Sequence, residues 1–375
     1  MAKFAMQIIK IMKTGKVLFL AAFALLACFN ASAQLSSADN KISIGGWIDG
    51  QYRMTYDDEM STAFQIRRAR LDLKGKLSKT VDFRLQADMS SSPKLIDAFV
   101  RMRFNKALAL QIGQFKIPFS LENILSPLDL ELADNAQVIS ALSGYKDVTG
   151  IASFANGRDI GLMISGTLFS DEIKGEETSI VKYDIGVFGG GGINVSPSRW
   201  GKDVSGRLSI TPYVRYLTLS ASFYLGNYIL PNTTAAGDTK GERKRYAVGA
   251  QYANGRWVMR GEYLWGRTGM DLLDDLTGTY SLDHLESQGC YITASRWFDL
   301  QKPAEGQFVP KMRPIVRWDC YTKDASDGTP KTYYWAGVEC WPQKCLRFQL
   351  AYRLHRDEIT SDIDHCLTAM TTVKF

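Results

Sequence analysis

The sequence lacks apolar runs long enough to cross a membrane as helices. The apolar stretch at residues 17–27 has eleven residues, whereas a membrane helix needs about twenty. No run of helix length follows it, although 45% of the 375 residues are hydrophobic. A bundle of membrane helices is therefore excluded, and the apolar residues must be spread over shorter, repeated elements.

Residues that commonly carry catalysis or bind metals are also scarce. Histidine occurs at three positions, His284, His355 and His365, and none lies near a G-x-S-x-G or comparable nucleophile motif. A hydrolase of the Ser–His type needs such a pair with an orienting group, and no Cys-x-x-Cys or Cys/His spacing suggests zinc. The sequence predicts no enzyme, no metal site and no cofactor, with the histidines in or beside exposed loops.

The N-terminal segment has the composition of an export signal. Four lysines precede the apolar stretch, and Ala31-Ser32-Ala33 gives an A-x-A cleavage site before Gln34. We expect residues 1–33 to be a signal peptide and residues 34–375 to be the exported domain. Two alternatives stay open, a membrane anchor and a lipoprotein with a lipobox ending at Cys28, and Met12 is a second candidate for the initiator.

Cleavage would leave an odd number of cysteines, which cannot form a closed set of disulfides. The five that remain are Cys290, Cys320, Cys340, Cys345 and Cys366. Cys340 and Cys345 flank a short turn, so they either pair across a hairpin or are small strand residues without a disulfide.

A large excess of positive or negative charge is also missing. Without residues 1–33 the chain has 41 basic and 39 acidic residues, a net charge of +2 instead of +6. The overall charge therefore gives no reason to expect a nucleic-acid partner, and any electrostatic function must depend on where the charges lie.

What the sequence does contain is alternation of apolar and polar residues in stretches of about ten, which is typical of transmembrane strands. In residues 63–77, Leu71 and Leu73 face one side, and Arg68 and Arg70 face the other. A soluble sandwich would show longer buried runs. The pattern predicts an all-β fold, a transmembrane antiparallel β-barrel of about 16 strands. The predicted strands cover residues 41–54, 63–77, 80–90, 95–104, 107–115, 158–169, 180–189, 203–213, 214–227, 242–254, 256–267, 286–298, 310–322, 331–341, 344–356 and 366–375.

The predicted connections are alternately short and long, as expected when every second one is external. Long polar connections fall at residues 116–157, 190–202, 228–241, 268–285 and 357–365, while those at 170–179 and 299–309 are longer than the opposite end should have. The last strand ends in Phe375, which resembles the signal that the barrel assembly machinery recognises in Gram-negative outer membranes.

Three sequence blocks resemble the phosphate-selective porin O and P family. They are Phe64-Gln65-Ile66-Arg67-Arg68-Ala69-Arg70-Leu71 followed by Gly75, Gly113-Gln114-Phe115-Lys116-Ile117-Pro118-Phe119-Ser120-Leu121-Glu122, and Gly157-Arg158-Asp159-Ile160-Gly161. The resemblance implies a sixteen-stranded barrel in outer-membrane lipid, usually a homotrimer, with a long third external loop folded into the pore. It also implies a ladder of arginines that passes small anions inward.

Strand alternation allows the inward-facing charges to be assigned. The assignment gives seventeen basic and nine acidic side chains, with Arg296 and Arg353 among the basic ones. The alternative is that the arginines brace the wall in ion pairs, as Arg101 and Arg103 would with Asp82 and Asp88. The candidate pore-lining and anion-binding residues are Arg68, Arg70, Lys74, Arg84, Arg101, Arg103, Lys116, Arg207, Arg260 and Arg317.

The predicted third loop departs from the phosphate-specific pattern, because such relatives place several lysines there. After Lys116 no basic residue occurs until Lys146, and the acids Glu122, Asp129, Glu131 and Asp134 lie between them. The sequence therefore predicts an outer-membrane porin, a passive diffusion channel for small solutes with a general or weak preference for anions, and leaves specific phosphate binding open. The alternative is a non-conducting structural or adhesion barrel.

Overall fold

A computed structural model describes most of the predicted barrel domain. The described residues are 42–57, 59–145, 157–173, 176–195, 202–212, 214, 216–229, 240–273, 280–302, 307–326, 328–356 and 363–375. The predicted signal peptide, the lipobox and Met12 lie outside these ranges, as does part of the predicted third loop at residues 146–156.

The described residues form a closed antiparallel barrel of sixteen strands. The strands are β1 Ile42–Asp57, β2 Glu59–Lys76, β3 Val81–Asp88, β4 Lys94–Arg103, β5 Ala109–Lys116, β6 Arg158–Ile173, β7 Glu176–Phe188, β8 Asp203–Ile210, β9 Leu217–Ile229, β10 Lys240–Ala253, β11 Trp257–Leu273, β12 Tyr280–Arg296, β13 Lys311–Thr322, β14 Lys331–Gln343, β15 Leu346–Arg356 and β16 Ile363–Lys374. After Trp297, β12 continues as the short piece Phe298–Asp299, which also pairs with β13. Every predicted strand is confirmed, with shifts at its ends.

The first and last strands close the barrel. Trp47 of β1 lies opposite Lys374 of β16, and the pairing continues to Tyr56 and His365. β1 also pairs with β2. Among the described strands closure leaves no sheet edge, so each of them has hydrogen-bonding partners on both sides, as a strand in a membrane requires.

Alternation along each strand separates an exposed outer face from a buried inner face. In β2 and β3, Leu71 and Leu85 are 48% and 41% exposed, whereas Arg70 and Gln86 are 4% and 1% exposed. The outer face is therefore apolar and the inner face polar, the distribution expected of a barrel in lipid. Among the described residues, no α-helix is long and apolar enough to span a membrane.

Two predicted connections are largely strand. β6 and β7 pair as far as Ile173 and Glu176, and β11 and β12 pair as far as Leu273 and Tyr280. The expectation of long connections at 170–179 and 268–285 is wrong, because polar residues can extend a hairpin beyond the membrane, where alternation with apolar residues is not needed. The connection after Asp299 is held by a hydrogen bond from Leu300 N–H to the Pro310 carbonyl, 2.7 Å.

The segment after β5, whose residues 117–145 are described, contains two short helices, α1 Leu121–Ile124 and α2 Gln137–Leu142. Its apolar side chains form a buried cluster with inner-face residues of the wall. The cluster comprises Phe119, Ala136, Val138, Ile139, Ala141 and Leu142 of the segment and Tyr224, Ala247, Leu264 and Tyr291 of β9–β12. We call residues 117–145 the inner segment, and the barrel end at Ile42 and Phe375 the terminal end.

Candidate functional site

One carboxylate of the wall holds the first turn of the inner segment. Glu262 of β11 accepts hydrogen bonds from the backbone N–H groups of Leu121 and Glu122 at 2.7 and 2.8 Å, and from the Ser120 hydroxyl at 3.0 Å. The Tyr291 hydroxyl donates to the same carboxylate at 2.6 Å. Because Glu262 is 4% exposed, these four donors replace the water that a buried carboxylate would otherwise need.

The acids of the inner segment in turn bind arginines of the wall. Glu122 lies 2.8 Å from Arg317 of β13, and Glu131 lies 3.0 Å from Arg260 of β11. All four of these side chains are almost completely buried. The segment is therefore fastened to β11–β13 by ion pairs, and its acidity does not make it repel the basic wall.

On the other side of the barrel, Asp134 binds two arginines of β1 and β2. Its carboxylate oxygens lie 2.5 Å from Arg53 and 2.8 Å from Arg67. The two guanidinium groups outweigh burial and hold the pKa of Asp134 well below its usual range. Burial instead raises the pKa of Glu122, although Arg317 and Arg260 oppose it. Asp134 is thus ionised far into acid, whereas Glu122 takes up a proton more readily than an ordinary glutamate.

Three consecutive cavities lie along the inner face, cavities B and C mainly against β1–β5 and cavity A against β1, β2, β14 and β15. Cavity A has a volume of about 430 Å³ and lies against the inner segment. Cavity B, of about 260 Å³, shares Arg70 and Arg158 with cavity A. Cavity C, of about 440 Å³ at the terminal end, shares Arg84 and Arg101 with cavity B. The shared residues place the three cavities next to one another in a series, which we call the basic route, with cavity B as its smallest part.

Seven of the ten candidate residues line this route. They are Arg68, Arg70, Lys74, Arg84, Arg101, Arg103 and Lys116. The other three lie elsewhere on the inner face, since Arg260 and Arg317 bind the inner segment and Arg207 binds Asp184. The structure therefore brings together the candidates from β2–β5 and separates them from those of β8, β11 and β13.

Carboxylates of neighbouring strands accompany the lining arginines. Arg101 lies 3.0 Å from Asp82, and Arg103 binds the same carboxylate. The expected bracing pairs are present, except that Asp88 binds Arg70 at 3.1 Å. Most lining arginines are thus paired, and the surplus positive charge is smaller than the count of arginines.

A family model described as phosphate-selective porin O and P matches residues 41–364. The chain belongs to this family. The match spans the described barrel from β1 into β16, so the resemblance of the three sequence blocks extends to the fold that contains them.

Solved structures of other porins and outer-membrane proteins are similar in fold to this porin. An anion-selective porin from Comamonas acidovorans superposes with a TM-score of 0.62 at 15% identity, covering 90% of this chain and 100% of that one. The outer-membrane channel DcaP of Acinetobacter baumannii gives a TM-score of 0.57 at 12% identity, covering 91% and 99%. The trimer form of OmpT from Vibrio cholerae gives 0.53 at 8% identity, covering 90% and 100%. No curated protein sequence matches the porin.

Lys116 of the porin does not extend freely into the route. Its ammonium group donates to the carbonyl oxygens of Asn123, at 2.6 Å, and Leu125, so it fixes the end of α1. Gly113, at φ +127°, interrupts the alternation of β5 three residues earlier, and a Cβ there would collide with the backbone of Ala98. The glycine of the Gly113–Glu122 block thus allows the strand to turn Lys116 toward the inner segment.

Four arginines of the route are absent from the candidates: Arg53, Arg67, Arg158 and Arg353 all line cavity A. Arg67 joins Arg68 on the inner face because the register of β1 and β2 skips one residue, from Asp49 opposite Arg68 to Gly50 opposite Ile66. A β-bulge of this kind is not visible in an alternating pattern. Arg53 follows the alternation of β1, so the polar residues of that strand were a signal that could have found it.

Two assignments at strand ends are wrong. Arg158 is not among the basic side chains that were assigned inward, yet it is buried and lies 2.6 Å from Asp97. Arg296 was placed inward, yet its guanidinium lies over the rings of Trp257 and Phe298, both exposed. Arg158 is the first residue of β6, where the alternation does not yet hold. Arg296 follows the alternation of β12, in which Thr293 and Ser295 are buried and Ile292 is exposed, so the pattern itself places it outward.

The remaining expectations concern histidine, cysteine and metals. His355 is 6% exposed and contacts the Thr332 carbonyl, so the expectation that every histidine is exposed is wrong. Cys340 and Cys345 are both free thiols, which leaves the hairpin disulfide unformed. Within the described ranges, no group of three or more His, Cys, Asp or Glu residues could hold a metal ion.

Proposed function

We propose that the porin is a passive diffusion channel for small solutes, with a moderate preference for anions. The observation that carries the proposal is the series of adjacent cavities A, B and C. Arginines line every part of it, and their planar, permanently charged groups suit oxyanions such as carboxylate and phosphate. The anion-selective porin from Comamonas acidovorans, which has the same fold, is consistent with this preference.

The inner segment is proposed to be the constriction of the channel. Its contacts with Arg53 and Arg67 on one side and with Arg260 and Arg317 on the other support a position across the lumen. Its apolar cluster with β9–β12 would then close that half of the lumen. Solutes would pass through the other half, along β14 and β15 in cavity A and along β1–β5 in all three cavities.

The preference for anions is proposed to be moderate and not specific for phosphate. A tight phosphate site needs several donors that converge on one ion. Here Lys116 donates to backbone carbonyls, and Arg70, Arg84 and Arg101 each bind a carboxylate. Phosphate would therefore have to compete with internal ion pairs, and we expect it to block chloride current only weakly.

The location and assembly follow from the same proposal. We expect a Gram-negative outer membrane reached through a signal peptide, with the terminal end toward the periplasm and the apolar outer face in lipid. Assembly would use the terminal strand that ends in Phe375. A homotrimer is expected, and oligomers that resist detergent below the unfolding temperature of the barrel would support it.

The reversal potential under a salt gradient tests the function. Purified porin in a planar bilayer should give a reversal potential on the anion side. The double variant Arg101→Gln with Arg103→Gln should shift it toward cations, because Asp82 then loses both partners in cavities B and C. High salt should reduce the effect by screening.

Arg207→Gln is the matched control, because Arg207 is also paired on the inner face but lies outside the route. It should leave the reversal potential unchanged. A cation-selective wild-type channel would contradict the proposed preference, and the absence of any conductance would favour a structural or adhesion barrel instead.

A further inference from the structure

Three guanidinium groups that line cavity A are accompanied by a single carboxylate, which binds two of them. Arg53 and Arg67 both bind Asp134, while Arg353 has no carboxylate partner within the described part of the chain. The Nε atoms of these three arginines are buried and have no hydrogen-bond partner among the described residues. The other arginines of the cavity each bind a carboxylate of the wall: Arg68 binds Asp49, Arg70 binds Asp88 and Arg158 binds Asp97. Cavity A therefore concentrates positive charge that the wall does not neutralise.

Aromatic rings hold Arg353 in place. Its Cζ lies 4.3 Å from the ring centre of Tyr333 and 5.8 Å from that of Trp335. The two rings meet edge to face, 6.4 Å apart, and both line the cavity. Stacking leaves the edge of a guanidinium, where its N–H donors lie, available to a planar oxyanion.

The inner segment gives the same cavity an apolar side. Leu125, Pro127 and Leu130 line it, and its volume of about 430 Å³ falls within the range typical of sites for small organic ligands. A site that combines apolar surface with a few fixed polar groups favours a ligand that has both an apolar body and a charged head.

We propose that cavity A is a binding site for organic carboxylates that carry an apolar ring, such as benzoate. The carboxylate pairs with the Arg353 edge and the Arg53 and Arg67 guanidinium groups, and the ring contacts Leu125 and Pro127. This inference rests on the proposed function, because it names the solutes that the channel would favour.

Inorganic phosphate and acetate fit the cavity less well. Both have an anionic head, but neither has enough apolar surface to gain from the side formed by Leu125, Pro127 and Leu130. Phosphate would also lose much of its hydration water on entering the cavity, and too few unpaired hydrogen-bond donors are present there to replace that water. The positive charge of the route attracts all of these anions. We therefore expect the apolar body of the solute to determine which of them binds cavity A more tightly.

Block of chloride current in a planar bilayer tests the site, with benzoate, acetate and phosphate as the probes. Benzoate should reduce the current at a concentration about tenfold lower than either acetate or phosphate, a difference of about 1.4 kcal/mol. Calorimetric titration of the detergent-solubilised barrel with benzoate should give the same order of affinities without requiring conduction.

Variants of the cavity distinguish the contribution of the carboxylate head of the solute from that of its apolar ring. Arg353→Gln should weaken benzoate block and binding about tenfold, and Arg353→Lys should weaken them while keeping the charge, because an ammonium lacks the planar fork. Leu125→Asn should weaken benzoate but not acetate. Arg296→Gln is the matched control, since Arg296 also stacks on aromatic rings but lies outside cavity A.

Equal block by benzoate and acetate would overturn the inference, as would undiminished benzoate binding in both Arg353 variants. Either result in a channel that still reverses on the anion side would leave the proposed function standing. A cation-selective or silent barrel would contradict the proposed function alone, and the calorimetric titration would still decide whether cavity A binds benzoate.

Discussion

Glu122 of the inner segment and Arg317 of the barrel wall form an ion pair 2.8 Å long in which neither side chain is exposed. The residues are separated by 195 positions in the sequence, so the pair joins two elements that are far apart along the chain. Arg317 also donates to the Asp134 carbonyl at 3.0 Å. The pair is thus a fixed point between the segment and β13.

Removing the carboxylate should loosen this connection. Glu122→Leu leaves the Arg317 guanidinium buried without its partner, and we expect the free energy of unfolding to fall by about 3–5 kcal/mol. Glu122→Gln should be milder, because an amide oxygen still accepts from Arg317. The unfolding temperature in detergent, read from heat-dependent gel migration, measures both. Adding Arg317→Met to Glu122→Leu should recover part of the loss, and no recovery would mean that the pair does not hold the segment.

The two acids of the inner segment predict opposite dependence on pH. The raised pKa of Glu122 means that the folded protein binds this proton more readily than the unfolded chain, so its contribution to stability grows as the pH falls. The penalty of Glu122→Gln should therefore be larger at about pH 5 than at about pH 7.5. The lowered pKa of Asp134 keeps it ionised over the same range, so Asp134→Asn should have one constant penalty. Equal pH profiles for the two variants would contradict the assignment.

Arginine on the outer face should block assembly. Leu71, Leu85 and Val100 are exposed on the apolar face, where an arginine at the membrane midplane costs about 2–4 kcal/mol. We expect Leu71→Arg, Leu85→Arg and Val100→Arg to reduce the amount of heat-modifiable barrel in the outer-membrane fraction. Ser43→Arg is the control, since Ser43 lines cavity C. Similar losses at all four sites would mean that the faces are assigned wrongly.

The hydrogen bonds from the inner segment to Glu262 should limit the noise of the channel current. Glu262→Gln replaces one acceptor oxygen by an amide donor that faces the N–H groups of Leu121 and Glu122. We expect greater open-channel noise and a loss of stability of about 1–3 kcal/mol. Asp184→Asn, which removes an inner-face acid paired with Arg207, should leave the noise unchanged. Quiet channels in Glu262→Gln would show that other contacts suffice to fix the segment.

Regular strands made the barrel predictable, whereas local irregularities hid part of the site. Arg70, Arg84 and Arg101 lie within uninterrupted alternation, and sequence placed all three on the inner face. Arg67 was missed because a bulge adds one residue to β2, and a single extra residue reverses the assignment of every side chain beyond it. The local sequence pattern does not indicate where the extra residue of a bulge lies.

The ion-pair partners of Glu122 and Glu131 could not be predicted, because they are distant in the sequence. Nothing near Glu122 or Glu131 indicates that Arg317 and Arg260 will meet them, since the partners lie more than a hundred residues away. The acids were interpreted as charges that oppose an anion, and the structure shows them as partners of the wall. The sequence gives the sign of a charged side chain, but its ion-pair partner is known only once the strands of the closed barrel are in place.

The apolar cluster between the inner segment and β9–β12 has a consequence for how such channels diversify. Because Leu142 and Val138 pack there against Tyr224 and Tyr291, that side of the barrel obeys the packing rules of a soluble domain, where a change of one methylene is felt by its neighbours. A larger or smaller side chain in the cluster would move the inner segment toward or away from β1–β5. Descendants of one gene could thus acquire wider or narrower channels through ordinary core substitutions, without altering the strand number or a charge along the route.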